Sequence, residues 1–187
     1  MKKVVAVLAC VVVLLVGYIV LDKSGTQSSF DTKKAYDQGK AFYNNKEYDR
    51  AAELFKIVCD GGEMRGCNNL GAMYTDGDGV EKNEQKAVEL YKIACDGGYM
   101  IGCYNLGVMY AKGNGVEKNK QKAAELYKKA CNGGETNGCY NLGLIYADGK
   151  GVEKDFKKAA ELFKKACDGG NMHGCRSLDI IHMLMAK

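Results

Sequence analysis

Cysteine is the residue whose spacing in this chain could do chemistry most directly. Of nine cysteines, Cys10 stands alone near the start; the others fall at 59 and 67, 95 and 103, 131 and 139, 167 and 175, always eight apart and recurring every 36 residues. Ordered thiols serve two chemistries, disulfide formation and zinc ligation. Zinc ligands usually arrive as close pairs about two to four residues apart, backed by histidines. Here seven residues separate the members of each pair, and the chain has two histidines. Eight regular thiols are also rare in a reducing cytosol. The pairs therefore read as the disulfides Cys59–Cys67, Cys95–Cys103, Cys131–Cys139 and Cys167–Cys175, with no metal or other cofactor. Tetrahedral zinc is the rival reading.

The elements that must position these thiols repeat with the same period. Residues 103–138 read CYNLGVMYAKGNGVEKNKQKAAELYKKACNGGETNG, and residues 67–102 and 139–174 are copies in gap-free register. A fixed period of this size marks a solenoid, in which each unit buries its apolar face only against its neighbours. Two helices fit each unit. The first spans about residues 99–111 and carries Leu106, Met109 and Tyr110 at helical spacing. It closes at Gly113-Asn114-Gly115, residues that tolerate the left-handed conformation. The second opens at the N-cap Asn119, with Asn83 and Asp155 equivalent, and presents Ala123, Leu126, Tyr127 and Ala130 before Gly133-Gly134 stop it. The recurrence of Gly71, Gly107 and Gly143 implies a close helix–helix approach. Each cysteine pair then staples the turn between one unit's second helix and the next unit's first. Residues 31–66 form a shorter first unit without the glycine loop, and residues 175–187 a capping helix rich in Ile180, Ile181, Met183, Leu184 and Met185. The expected fold is all-α, an α/α superhelical solenoid over residues 31–187.

Ahead of the repeats, Lys2 and Lys3 precede an uncharged run over residues 4–21, about 27 Å long as a helix and just enough for a thin bilayer. No small-residue cleavage site follows Leu21, so residues 1–21 read as a signal anchor, or else a signal peptide, that leaves the repeats outside the cytoplasm. Val7-Leu8-Ala9-Cys10 resembles a lipoprotein box but stands too near the start to serve well as one. Residues 22–30 are polar and read as a tether. The net charge of +4, with lysines and glutamates interspersed at helical spacing, argues against a nucleic-acid surface.

The run Asn-Leu-Gly-x-x-Tyr, then Gly-x-Gly-Val, then Lys-Ala-x-Glu-Leu-Tyr/Phe-Lys-x-Ala resembles the Sel1-like repeat family, relatives of tetratricopeptide repeats. The added cysteine pairs enclosing Asp/Asn-Gly-Gly are similar to those of the Helicobacter cysteine-rich proteins. The resemblance covers about residues 31–187. It implies first helices lining a concave side, residence in the periplasm or exterior, and disulfides within the cysteine pairs. It also implies either a weak β-lactamase that binds penicillins or a secreted factor engaging host or envelope proteins.

The residues support the enzyme poorly. A serine β-lactamase needs an activated Ser-x-x-Lys, and none of the four serines, Ser24, Ser28, Ser29 and Ser177, begins one. His173 and His182 are too few for a metallo-enzyme's zinc. A binding module fits better. Asn69, Asn105 and Asn141 recur before the Leu-Gly of each first helix, with Ser177 in the same slot of the cap, and stacking would align them as a ladder suited to a peptide backbone or a β-lactam amide. Satisfying the repeat junction is the competing role for these amides. Tyr104 and Tyr140, with Asn68 and Arg176 equivalent, precede the ladder and vary between copies, as selectivity residues would, with plain surface or partial core as the competing role. Tyr74, Tyr110 and Tyr146 read as core, and Met64, Met100 and Met172 as fillers at the turns. The sequence thus describes a periplasmic or secreted scaffold, anchored through residues 4–21, that binds a peptide, an envelope protein or a cell-wall fragment. Weak β-lactamase activity is the alternative, and a purely structural assembly factor the third reading.

Overall fold

Helix is dictated here by apolar residues at three- and four-residue spacing, with asparagine or aspartate before α-helical runs such as those at 84, 120 and 156 and glycine after most of them. In the computed structural model, which describes residues 31–186, those runs become nine helices and no strand among the described residues. The anchor over residues 4–21 and the tether over residues 22–30 lie outside them. Among the described residues no helix is long and apolar enough to cross a membrane. One compact unit begins at Lys33.

The helices pair as antiparallel hairpins: α1 (Thr32–Asn44) with α2 (Tyr48–Asp60), α3 (Met64–Asp76) with α4 (Glu84–Asp96), α5 (Met100–Lys112) with α6 (Lys120–Asn132), and α7 (Thr136–Asp148) with α8 (Phe156–Asp168). A last helix, α9 (Met172–Met185), packs on α8. Helix α5 starts one residue later than its periodicity suggests, because Tyr99 is extended and serves as its N-cap. It also ends later, running to Lys112 before Gly113 closes it in the left-handed region at φ 84°. Helices α4, α6 and α8 are capped as read: the side chains of Asn83, Asn119 and Asp155 accept from the backbone N–H of Lys86, Lys122 and Lys158, each at 2.9 Å. Such a cap contributes about 1 kcal/mol.

Packing within a hairpin rests on one aromatic ring and one glycine. Phe55, Tyr91, Tyr127 and Phe163 are buried on the even helices and lie across Gly39, Gly71, Gly107 and Gly143 of the odd ones. A methyl group at Gly107 would come within 2.7 Å of the Tyr127 ring. The neighbouring Ala51, Ala87, Ala123 and Ala159 are wholly buried, so each hairpin is thin at its seam. Contacts between units use the glycine loops. Gly115 lies against the backbone of Glu84 and Gln85 at the start of α4, as Gly79 does against Tyr48 and Asp49 and Gly151 against Lys120 and Gln121.

Four disulfides complete the junctions, with S–S distances of 2.00–2.06 Å between Cys59 and Cys67, Cys95 and Cys103, Cys131 and Cys139, and Cys167 and Cys175. Covalently paired sulfurs carry no thiolate for zinc, so the disulfide reading stands over its rival at these eight cysteines. The two inner bridges are buried against Ala130 and Ala166. An oxidising compartment, periplasmic or extracellular, follows from bonds of this kind.

Tyr74, Tyr110 and Tyr146 keep part of the core role read from the pattern, each packing against the buried clusters of two adjacent units. They are half-buried, and the amines of Lys86, Lys122 and Lys158 stand over their rings at 5.2, 4.5 and 4.6 Å. A lysine stem covers the ring while its charge stays in water. Met64 and Met100 fill the space over Gly97 and Gly133, whereas Met172 is 66% exposed. In α9, Ile181 is buried against Phe163 while Ile180, Met183, Leu184 and Met185 face outward.

Two stability predictions follow from the seam and the staple. Gly107→Val should lower unfolding stability by about 1–3 kcal/mol through overpacking against Tyr127, read by chemical denaturation beside the exposed control Ile101→Ala. Cys95→Ala/Cys103→Ala should lose about 2–3 kcal/mol through loop-closure entropy, and an unchanged midpoint would show that the bridge holds nothing.

Candidate binding face of the first helices

The odd helices supply the residues expected to bind. Asn69, Asn105 and Asn141 lie half-buried on α3, α5 and α7, with Ser177 half-buried on α9. Their amides are engaged across unit boundaries. Asn69 donates to the Tyr36 hydroxyl of α1 at 3.3 Å, and Asn105 donates to the Asn68 side-chain carbonyl of α3 at 2.8 Å. Asn141 stands near the hydroxyls of Tyr104 and Tyr127 and eases their ionisation. Each bond ties one unit to the preceding one, so the junction role is real. An asparagine amide carries two donors and two acceptor lone pairs, however, and these contacts leave capacity on each rung.

Tyr104 and Tyr140 are half-buried beside the ladder. Their rings tilt against Tyr127 and Phe163, with centroids 5.9 Å apart in both pairs. They thus extend the hairpin seam as well as bordering the groove, and the Tyr140 ring also meets His173 at 5.9 Å.

Two crevices of equivalent construction open between neighbouring odd helices. One, about 330 Å³, lies between α1 and α3, with Phe55 as its floor and Tyr36, Lys40, Tyr43, Asn69 and Ala72 among its walls. The other, about 240 Å³, lies between α5 and α7, with Tyr127 as floor and Ala111, Asn141, Leu144 and Asp148 among its walls. Phe55 and Tyr127, Asn69 and Asn141, and Ala72 and Leu144 are repeat-equivalent pairs. The junction between α3 and α5 is tied by the Asn105–Asn68 bond, and inside the α3–α4 hairpin the Thr75 and Tyr91 hydroxyls share a hydrogen bond at 3.3 Å.

Two polar residues carry roles that the sequence reading did not assign to them. Asn68 is buried, standing where other units have Tyr104 or Tyr140, and it links the ladder by accepting from Asn105. Asn171 is buried as the N-cap of α9, accepting from the Gly174 N–H and donating to the Asn137 side chain, both at 2.9 Å. The departure of Asn68 from its tyrosine equivalents and the cap-forming position of Asn171 were the available signals.

Burial raises the phenols along this face. The Tyr127 hydroxyl is pushed up to about 12, mainly by desolvation, with Asn141 partly offsetting the rise. Tyr91 and Tyr104 are raised for the same first reason. A raised phenol favours the folded state below its unfolded pKa near 10, and that stability is lost as pH climbs towards about 12. Alkaline titration followed by phenolate absorbance should therefore show a Tyr127 component, absent from Tyr127→Phe, ionising above the exposed tyrosines. Asn141→Ala should move that component higher still.

A family model described as Sel1 repeat matches residues 65–99, 101–135 and 136–171. HcpC of Helicobacter pylori, provisionally named a beta-lactamase, is 43% identical over 70 residues, or 37% of this chain and 23% of HcpC. The same protein from a second strain is 40% identical over 71 residues, 24% of its length. The match thus spans about a quarter of these curated relatives. Among solved structures, the cysteine-rich protein HcpB of H. pylori superposes with a TM-score of 0.54 at 34% identity, covering 82% of this chain and 99% of HcpB. A Sel1 repeat protein from Oxalobacter formigenes gives 0.73 at 27% identity, covering 78% and 60%. The protective antigen c5321 of uropathogenic Escherichia coli, described as having an SLR fold, gives 0.74 at 29%, covering 79% and 32%. With its repeated hairpins and stapled junctions, the chain belongs to the Sel1 repeat family.

Proposed function

We propose that this protein is a binding scaffold of the periplasm or cell exterior whose odd-helix face holds an extended segment of a protein partner. The observation that carries the reading is the asparagine ladder: three half-buried amides, one per full unit, each with hydrogen-bonding capacity beyond its junction contact. An extended backbone offers carbonyls and N–H groups in a row, which regularly spaced amides suit. Ser177 would continue the row with a hydroxyl, while Tyr104 and Tyr140 border it and supply selectivity. An envelope protein or a cell-wall fragment carrying a peptide fits the same chemistry.

Residues 4–21 are proposed as a membrane anchor ahead of a tether at 22–30, with the solenoid beginning at residue 31. The uncharged run behind Lys2 and Lys3 supports that arrangement. β-Lactam hydrolysis has as its support the provisional name of HcpC, and the sequence carries no Ser-x-x-Lys motif. A purely structural assembly role would leave the ladder without a ligand.

Selection of random displayed peptides on the oxidised full chain tests the reading, with counter-selection on Asn105→Ala/Asn141→Ala. Peptides enriched by the native protein and not retained by the variant are expected, without turnover of a chromogenic β-lactam. Equal retention by both proteins would sink the ladder reading, and turnover lost in the variant would replace it with an enzyme.

A further inference from the structure

We propose that the outer stripe of α9 is a self-docking surface, on which a second copy of this chain packs its own α9 antiparallel across a two-fold axis. The inference goes beyond the groove reading and does not depend on it.

The stripe occupies an interface that the rest of the solenoid already uses. In each full hairpin one row of the odd helix faces that hairpin's even helix: Met100 fills the space over Gly133, Tyr104 tilts against the Tyr127 ring, and Gly107 lies under the same ring. The residues of α9 in those slots are Met172, Arg176 and Asp179, and Met183 follows in the slot of Ala111. Spaced by four, three and four residues, the four form one line about 16 Å long. All four are exposed, Met172 to 66% and Met183 to 62%, while Ile181, on the other side of α9, is buried against Ala159 and Phe163 of α8. No helix among the described residues covers the line. Nor could Asp179 receive an aromatic ring as its glycine equivalents do, since even a methyl group at Gly107 would come within 2.7 Å of Tyr127.

The order of side chains along the line points to the occupant. From either end it reads methionine, charge, opposite charge, methionine. Laid antiparallel on a copy of itself about an axis between Ser177 and Leu178, it sets Arg176 against the partner subunit's Asp179 and Met172 against the partner subunit's Met183. Each contact then occurs twice, as an isologous interface requires. A parallel pairing would instead oppose Arg176 to Arg176 and Asp179 to Asp179, like charge to like. Neither Arg176 nor Asp179 has an ion pair among the described residues, so both charges are available across the axis. Methionine is flexible enough to fill such a joint, and Ile180 and Leu184, 53% and 49% exposed, lie beside the line and add apolar area. A lipid surface fits less well, because the carboxylate and guanidinium at the middle of the line would be drawn out of water at a cost.

The test reverses these charges in the oxidised full chain and reads mass by sedimentation equilibrium in a density-matched mild detergent. The native chain should sediment at twice its 20.4 kDa. Arg176→Asp or Asp179→Arg opposes like charges at both contacts and should weaken self-association about a hundredfold, roughly tenfold for each contact. Mixed together, the two variants should pair with each other, since one carries two anions and the other two cations along the line. Arg176→Asp/Asp179→Arg should pair with itself again. Recovery of that kind excludes misfolding as the cause of the loss. A native chain that stays monomeric would overturn the inference and leave the stripe to a lipid surface or a different protein. So would a dimer indifferent to both reversals, whose contact then lies elsewhere, or a mixture of the variants that fails to associate.

Discussion

The contact between an aromatic ring and a glycine inside each hairpin is the constraint on which the other features rest. A side chain at Gly71, Gly107 or Gly143 would push the two helices apart, and the hairpin would no longer present a thin edge to its neighbours. Close pairing in turn brings successive odd helices near enough for an amide on one to reach a hydroxyl or carbonyl on the last. The ladder is thus a consequence of the seam. Its rungs stand in line because each is offset from its glycine by two residues on a helix whose depth that glycine sets. In α9 the glycine slot holds Asp179 instead, so the ring-on-glycine seam is not repeated there.

The repeated architecture was legible because local and long-range signals agree in this chain. Cap, apolar stripe and terminating glycine all recur at one period, and the cysteines mark the same joints. Side-chain partnership was less legible. The tyrosines at 74, 110 and 146 lie on an apolar stripe, yet nothing in periodicity alone distinguishes a ring buried among hydrocarbon from one roofed by a lysine stem on the partner helix. The ladder amides were identifiable as a row, but their mutual bonds were not: the partner of Asn105 is Asn68, 37 residues earlier, in a slot that other copies fill with tyrosine. Where copies differ, the period stops being informative and the actual contact decides.

Family membership narrows function less than fold. Repeat scaffolds vary what they hold by changing side chains on one face while the seam stays fixed. Here the seam residues scarcely change between units, whereas the slot three residues after the ladder changes charge once, from Lys40 to Ala72, and then grows through Val108 to Leu144. Uniformity in one row beside diversity in the next is the pattern expected of a constant frame carrying a specific message.

Because every disulfide joins cysteines eight residues apart, none spans more than a single joint. Eight thiols allow about a hundred pairings in principle, but the native set consists of the nearest partners, which close the shortest loops and so meet first as the chain emerges. Oxidation can proceed joint by joint behind an advancing chain, with little for an isomerase to repair. The same locality makes length inheritable in whole steps: a duplicated or deleted unit carries its own staple with it and leaves no orphan sulfur behind.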